Sequence, residues 1–154
     1  MTFTIRPISA AEARPLRHIV LRPHQPPESI MYPGDDAPDS LHVGAFVDAL
    51  LVGIATVVRE APPGESAPRA WRLRGMATLP QARRQGVGAA LVRACLAHVA
   101  AHGGTMLWCL GRTSALAFYN SLGFQATGDE FDVPHTGPHF IMRRPVTRHS
   151  ANLI

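Results

Sequence analysis

The residues best suited to chemistry stand in the order Arg83-Arg84-Gln85-Gly86-Val87-Gly88. A short run, Trp71-Arg72-Leu73-Arg74-Gly75-Met76-Ala77-Thr78, precedes them and suits a strand, and Leu79-Pro80 breaks it because proline has no ladder donor. Val87, Leu91, Val92, Cys95 and Val99 follow at helical spacing. The unit reads as strand, Arg/Gly turn, helix. The first turn of a helix presents backbone N–H groups without intrahelical partners at the positive end of its dipole. Glycines at 86 and 88 leave no side chain between those amides and an oxyanion. With Arg83 and Arg84 beside it, the turn is suited to phosphate or pyrophosphate. The same spacing also serves an ordinary tight strand–helix connection with solvated arginines.

Two familiar phosphate ligands do not fit. A dinucleotide fingerprint needs a third glycine where Leu91 stands, and a Walker loop needs a lysine, of which the chain has none. All 15 basic residues are arginine, the formal net charge is +4, and arginine favours bidentate anion contacts, so an anionic ligand is natural. The arginines are scattered without basic runs or interleaved aromatics, which argues against nucleic acid. The 154 residues, 46% hydrophobic and 17% charged, suit one globular domain with a single core. Cys95 and Cys109 read as buried free thiols of a reducing compartment. No secretory signal or membrane-length apolar run is evident, so a cytoplasmic protein without membrane contact is expected.

Around that unit the chain reads as alternating elements. Phe3 to Pro7 suits a first strand, and Ser9 with Glu12 has capping-box spacing for a helix whose buried stripe is Leu16, Ile19, Val20 and Leu21. A Pro/Asp/Gly-rich loop follows from Pro23 to Ser40, with a helical turn at 28–32. There Asp35, Asp36 and Asp39 with His24 and His42 form an acidic–imidazole group that is equally turn chemistry. Leu41–Val47 and Leu51–Arg59 form a hairpin around Asp48-Ala49-Leu50. Gly103-Gly104 ends the central helix, and Thr105–Cys109 is a covered strand. Thr113 or Ser114 caps a short helix ended by Gly123, on which Leu116 and Phe118 pack inward and Tyr119 projects from a neighbouring face. Phe124–Phe131 and His139–Arg143 close the sheet, and residues 147–154 form a loose tail.

Arg83-Arg84-Gln85-Gly86-Val87-Gly88 resembles the acyl-CoA signature of the GNAT superfamily of N-acyltransferases, and Leu73 to Ala77 resembles its central strand. About thirty residues on, Phe118-Tyr119-Asn120-Ser121-Leu122-Gly123-Phe124 is similar to its second signature. Two motifs in this order, spanning Met76 to Phe124, carry the resemblance. It implies an α/β fold in the α+β sense: a single GNAT domain over residues 1–146, with a twisted mixed sheet flanked by helices. The fourth and fifth strands would splay where acetyl-CoA enters. It further implies that Met76, Ala77 and Thr78 pair with the pantetheine arm, and that Arg83, Arg84, Gln85, Gly86, Val87, Gly88 and Ala89 hold the pyrophosphate. Tyr119 would be the acid that protonates the departing thiolate. The acceptor, a primary amine of a small molecule or peptide, would enter from the other face and attack directly. A homodimer is left open.

The sequence departs from the family in two places. Leu110 stands where relatives carry an asparagine, and the glutamate often found on the central strand is missing, leaving Arg72 and Arg74 as its charged residues. An amine must lose a proton to attack. His139 is the leading group for the acceptor side, followed by His42 and the Asp35–Asp39 loop, with Glu60 and Asp132 as further bases. A histidine satisfied by backbone at a strand start is the competing reading of His139. His98 and His102 are four apart on a helix, but Val99 replaces the glutamate of a zinc-protease motif, so a solvated face and no metal are expected. The absent base keeps a second reading open: a non-catalytic acyl-CoA-binding sensor or interaction module on the same scaffold.

Overall fold

In the computed structural model, which describes residues 2–147, the first apolar–polar alternation forms β1 (Thr4–Ile8). Ser9 then caps α1 (Ala10–Leu16) with a complete capping box. The Glu12 amide donates to Ser9 Oγ at 3.1 Å, and the Ser9 amide donates to Glu12 Oε1 at 2.9 Å. The expected buried stripe is only partly right. From Arg17 to Leu21 the chain winds as a π-helical turn, which adds a residue per turn and rotates the register. Ile19 is therefore 62% exposed, whereas Arg17 is fully buried.

A long loop with a 3₁₀ turn at Pro27–Ile30 leads to the hairpin of β2 (Leu41–Val47) and β3 (Leu50–Arg59). Its connection is tighter than expected, Asp48-Ala49, with Asp48 at φ 54° in the left-handed region that aspartate tolerates. β4 (Ala70–Thr78) ends before Leu79-Pro80 as expected, and a 3₁₀ turn at Pro80–Ala82 leads into the Arg/Gly turn. α2 (Val87–Ala101) buries Val87, Leu91, Val92, Cys95 and Val99, the five residues expected from periodicity.

β5 (Met106–Arg112) runs longer than its apolar stretch and continues into a 3₁₀ turn at Thr113–Ala115. Neither Thr113 nor Ser114 caps α3 (Leu116–Ser121); the Thr113 hydroxyl donates to Glu130 instead. On α3 Tyr119 is the buried residue, at 8% exposure, while Leu116 and Phe118 are half-buried, the reverse of the expected orientation. β6 (Gln125–Val133) and β7 (Gly137–Pro145) complete the chain. The tail expected over 147–154 lies, from residue 148 on, outside the described residues.

One seven-stranded sheet holds these strands in the order β1-β2-β3-β4-β5-β7-β6. Every pairing is antiparallel except β4 with β5, so the sheet is mixed as expected. The main core lies between the sheet and α2, built from Val43, Val57, Trp71, Leu73, Leu91, Leu96 and Leu107 among others. A smaller core under α1 joins Ala13 and Leu16 to Ile54 and Ala77. His102 is exposed as expected, whereas His98 is half-buried. Their rings lie 4.1 Å apart and each sits 5.6 Å from the Trp71 ring, while His98 Nε2 bonds the Asp39 carbonyl at 2.7 Å. No helix among the described residues is long and apolar enough to cross a membrane.

Candidate active site

The parallel pairing of β4 and β5 is short. Ala70, Trp71 and Arg72 pair with Met106, Leu107 and Trp108, and beyond that point the strands part. The cause is local: Gly75 (φ 64°) lies where the β3–β4 register shifts by one residue, which bends β4 away. Glycine suits this position, and a side chain there would be strained. Besides the positive φ, a Cβ at Gly75 would stand 3.2 Å from Arg17 Nε and 3.3 Å from the Tyr32 ring. The parted strands open a cleft of about 660 Å³, lined by Leu73 to Thr78 from β4 and by Cys109, Leu110 and Arg112 from β5.

At one end of the cleft stands the Arg/Gly turn. Arg84 (φ 62°) and Gly86 (φ 84°) turn the chain in the left-handed region, and the first intrahelical bond of α2 runs from Ala90 N–H to Gly86 O at 3.1 Å. The amides of Val87, Gly88 and Ala89 thus have no carbonyl within the helix and form the donor end of its dipole. A Cβ on Gly86 would meet nothing within 4 Å, whereas one on Gly88 would press within 3.1 Å of Phe118 Cζ. Gly88 therefore has a packing role that the motif alone did not reveal. Arg83 folds back, its Nε donating to Thr78 O at 3.1 Å. These residues fit a pyrophosphate: an amide-lined turn without side-chain obstruction at Gly86, flanked by two arginines.

Strand alternation divides the rest of the cleft between two faces of the sheet. Tyr119 stands on the α2–α3 face, where its ring lies 5.1 Å from Phe118 and 5.6 Å from Phe124, and a Cβ on Gly111 would come within 3.2 Å of it. Burial raises the Tyr119 hydroxyl above the usual phenol range, and that hydroxyl has no hydrogen-bond partner among the described residues. His139 lies inside β7, not in a turn before it, opposite Arg112 of β5. Arg112 follows Gly111, so it and the His139 cross-strand from it present the opposite face. His139 is 6% exposed, and its Nδ1 donates to Gly137 O at 2.8 Å, which leaves Nε2 of the neutral ring as an acceptor. The cleft brings together Met76–Thr78, Arg83, Arg84, Gly86 to Ala89, Tyr119 and His139.

The other base candidates lie elsewhere. His42 and Asp35 are buried against Arg17. Arg17 donates to both Asp35 carboxylate oxygens at 2.7 and 2.9 Å and to Thr56 Oγ1 at 2.8 Å, and His42 is bonded through Nδ1 to Thr56 Oγ1 and through Nε2 to Asp35 O. Asp39 pairs with Arg59, and Glu60 with Arg72 at 3.0 Å. His24, Asp36 and Asp132 are exposed, and none of them lines the cleft. Arg17 as the centre of a buried network was not foreseen, since its partners lie 18 and 39 residues away.

This geometry has relatives. A model of the Acetyltransferase (GNAT) family matches residues 9–124. The chain belongs to the GNAT family of acetyltransferases. It is 36% identical, over 90% of its own length and 93% of the relative's, to an uncharacterized N-acetyltransferase, YitI, of Bacillus subtilis (strain 168). Among solved structures it is similar in fold to Ard1 from Thermoplasma volcanium (TM-score 0.75, 21% identity, 95% of this chain and 99% of that one). It is also similar to the PaiA N-acetyltransferase from Thermoplasma acidophilum in complex with coenzyme A (TM-score 0.65, 18% identity, 94% and 99%). The protein is accordingly an acyltransferase of a family that uses acetyl-CoA.

Proposed function

We propose that this GNAT enzyme moves an acetyl group from acetyl-CoA to a primary amine by direct attack, with Tyr119 as general acid and His139 taking the amine's proton. The observation that carries this reading is that Tyr119 and His139 reach one cleft from opposite faces of the sheet. The donor's pyrophosphate would rest on the amides of residues 84–89 and its arm along Met76 to Thr78, whose β5 side has no partner strand. His139 Nε2 accepts the proton that the amine loses as its nitrogen bonds to the acetyl carbon. As the carbon–sulfur bond breaks, the Tyr119 hydroxyl donates its proton to the departing sulfur. The buried phenol stays protonated at neutral pH, so it is ready as a donor. The products are the acetylated amine and the free thiol.

The test is a panel of amines assayed for thiol release from acetyl-CoA, run on the wild type and on Tyr119→Phe. The phenylalanine variant keeps the ring, so acetyl-CoA should raise its Tm as it does for the wild type. Its turnover should fall about 10-fold or more, within the range of general acid catalysis. Equal turnover would remove Tyr119 from the reaction. An acetyl-CoA-bound protein that acetylates no amine would favour the sensor reading of this scaffold.

A further inference from the structure

The cleft holds six arginines, Arg22, Arg72, Arg74, Arg83, Arg84 and Arg112, and no aspartate or glutamate among the described residues that line it. Arg83 and Arg84 flank the donor's phosphates, Arg72 is paired with Glu60, and Arg22 donates to Gln25 at 3.4 Å. Arg74 stands apart. It lies two residues from Arg72 on the central strand, cross-strand from Thr56, and therefore on the acceptor face. Its guanidinium carbon sits 3.9 Å from the centroid of the Tyr32 ring, which Arg17 also approaches at 4.1 Å. It has no hydrogen bond or ion pair with any described residue, and its Nε is buried without a partner.

A cation so placed is costly. Burial, with the charge of Arg72 beside it, pulls Arg74 down to about 10, a direction that a bound anion would oppose. Tyr32 fixes the guanidinium plane by stacking, and the Arg17–Asp35 pair fixes Tyr32, whose amide donates to Asp35 Oδ2 at 3.0 Å. The planar fork is thereby preorganised before any ligand arrives. Arg112, opposite His139, adds a second unpaired cation on the same face.

Building on the amine-acetylation reading above, we propose that the acceptor is an amine that also carries a carboxylate, and that Arg74 holds this carboxylate while the amine faces His139. The partner carboxylate that the cleft lacks is supplied by the substrate. An uncharged or polycationic amine would meet repulsion or an unpaired cation there instead.

The test compares acids with their amides. α-Amino acids and ω-amino acids from β-alanine to 6-aminohexanoate, each with its carboxamide, are assayed with acetyl-CoA beside a set of carboxylate-free polyamines. For the best acceptor, kcat/KM should favour the acid over its amide by about 10-fold or more, the range for a charge-assisted hydrogen bond left unmade. Arg74→Gln should collapse that ratio towards unity, chiefly through KM, and Arg74→Lys should restore part of it. The acetyl-CoA-induced rise in Tm reports whether each variant is folded, and the acid-to-amide ratio is a readout that loss of packing alone does not move. An acid and amide used equally by the wild type, or an unchanged preference in Arg74→Gln, overturns the inference. So does acetylation of polyamines with silence from every carboxylate, an outcome that leaves the acetyltransferase reading standing. Silence from every amine overturns that reading, and this inference with it.

Discussion

Replacing Asp35 by asparagine should destabilise the folded protein markedly, because Asp35 is buried and paired. The carboxylate receives two hydrogen bonds from Arg17 and a third from the Tyr32 amide. Arg17, fully buried, has in addition the Ile30 carbonyl at 2.9 Å and Thr56 at 2.8 Å. Removing one charge of such a pair leaves the other uncompensated, at a cost of about 3–5 kcal/mol. The asparagine oxygen can keep one of the bonds, so the lower end, about 3 kcal/mol, is expected. With a shift of roughly 2–4 °C per kcal/mol for a chain of this size, Tm should fall by about 6–12 °C. The effect should depend on pH. Burial would raise the Asp35 carboxyl, but the Arg17 and Tyr32 hydrogen bonds outweigh it and hold the group below the usual carboxylate range. A depressed folded-state value gives stability that is present above the unfolded value and lost as pH falls through the folded one. The gap between wild type and variant should therefore be widest at neutral pH and close in acid. Thermal and urea unfolding across that range is the assay. A Tm difference under about 2 °C at pH 7, or a gap indifferent to pH, would refute the argument from the buried pair.

The two glycines of the turn should fail differently. Gly86→Ala meets no neighbour but strains a left-handed backbone, at a cost of about 1 kcal/mol or more, whereas Gly88→Val should displace Phe118 and reduce the acetyl-CoA-induced rise in Tm; unfolding curves with and without ligand separate them. His139→Gln should lower turnover by about 10²-fold at neutral pH. The deficit should shrink as rising pH deprotonates the amine without help, and parallel pH–rate curves would argue against a proton-accepting role. Burial pushes both Cys95 and Cys109 up to about 12, so neither thiol should react with an aromatic disulfide in the native state, and both should react in urea. The thiol-release assay then carries no background from the enzyme.

Much of the fold was legible because its signals are local. The Ser9–Glu12 box, the Leu79-Pro80 break and the five-residue stripe of α2 each depend on neighbours a turn away, and each stands as expected. The misreadings occur where geometry is set from a distance. Periodicity placed Ile19 inside because it assumed a regular α-helix, and the π-helical turn exchanged it for Arg17. His98 looked solvated because its partners, the Trp71 ring and the Asp39 carbonyl, come from β4 and the long loop, far from it in sequence. Both site motifs were legible, yet the isolation of Arg74 was not, since it depends on where every carboxylate in the chain ends up. A partial signal did exist: Arg72 and Arg74 share a face opposite Trp71 and Leu73, an unusual load of charge for a central strand.

The splay between β4 and β5 also bears on aggregation. A sheet invites strand addition wherever it presents unpaired backbone, and the two outer margins here are guarded. On β1, Pro7 lacks a donor and Arg6 lies across the Phe46 ring at 3.9 Å. β6 is broken in register between Thr127 and Phe131, turns through Gly128 (φ 74°), and exposes Asp129, Glu130 and Asp132. The inner margins of the cleft have no comparable carboxylates or proline. Their protection is shape: diverging from Arg72 and Trp108, β4 and β5 form a wedge in which an incoming strand cannot bond both sides at once. A thin, flexible chain with a few amide groups can enter where a polypeptide strand cannot, so the opening proposed above for the donor also discriminates against misassembly.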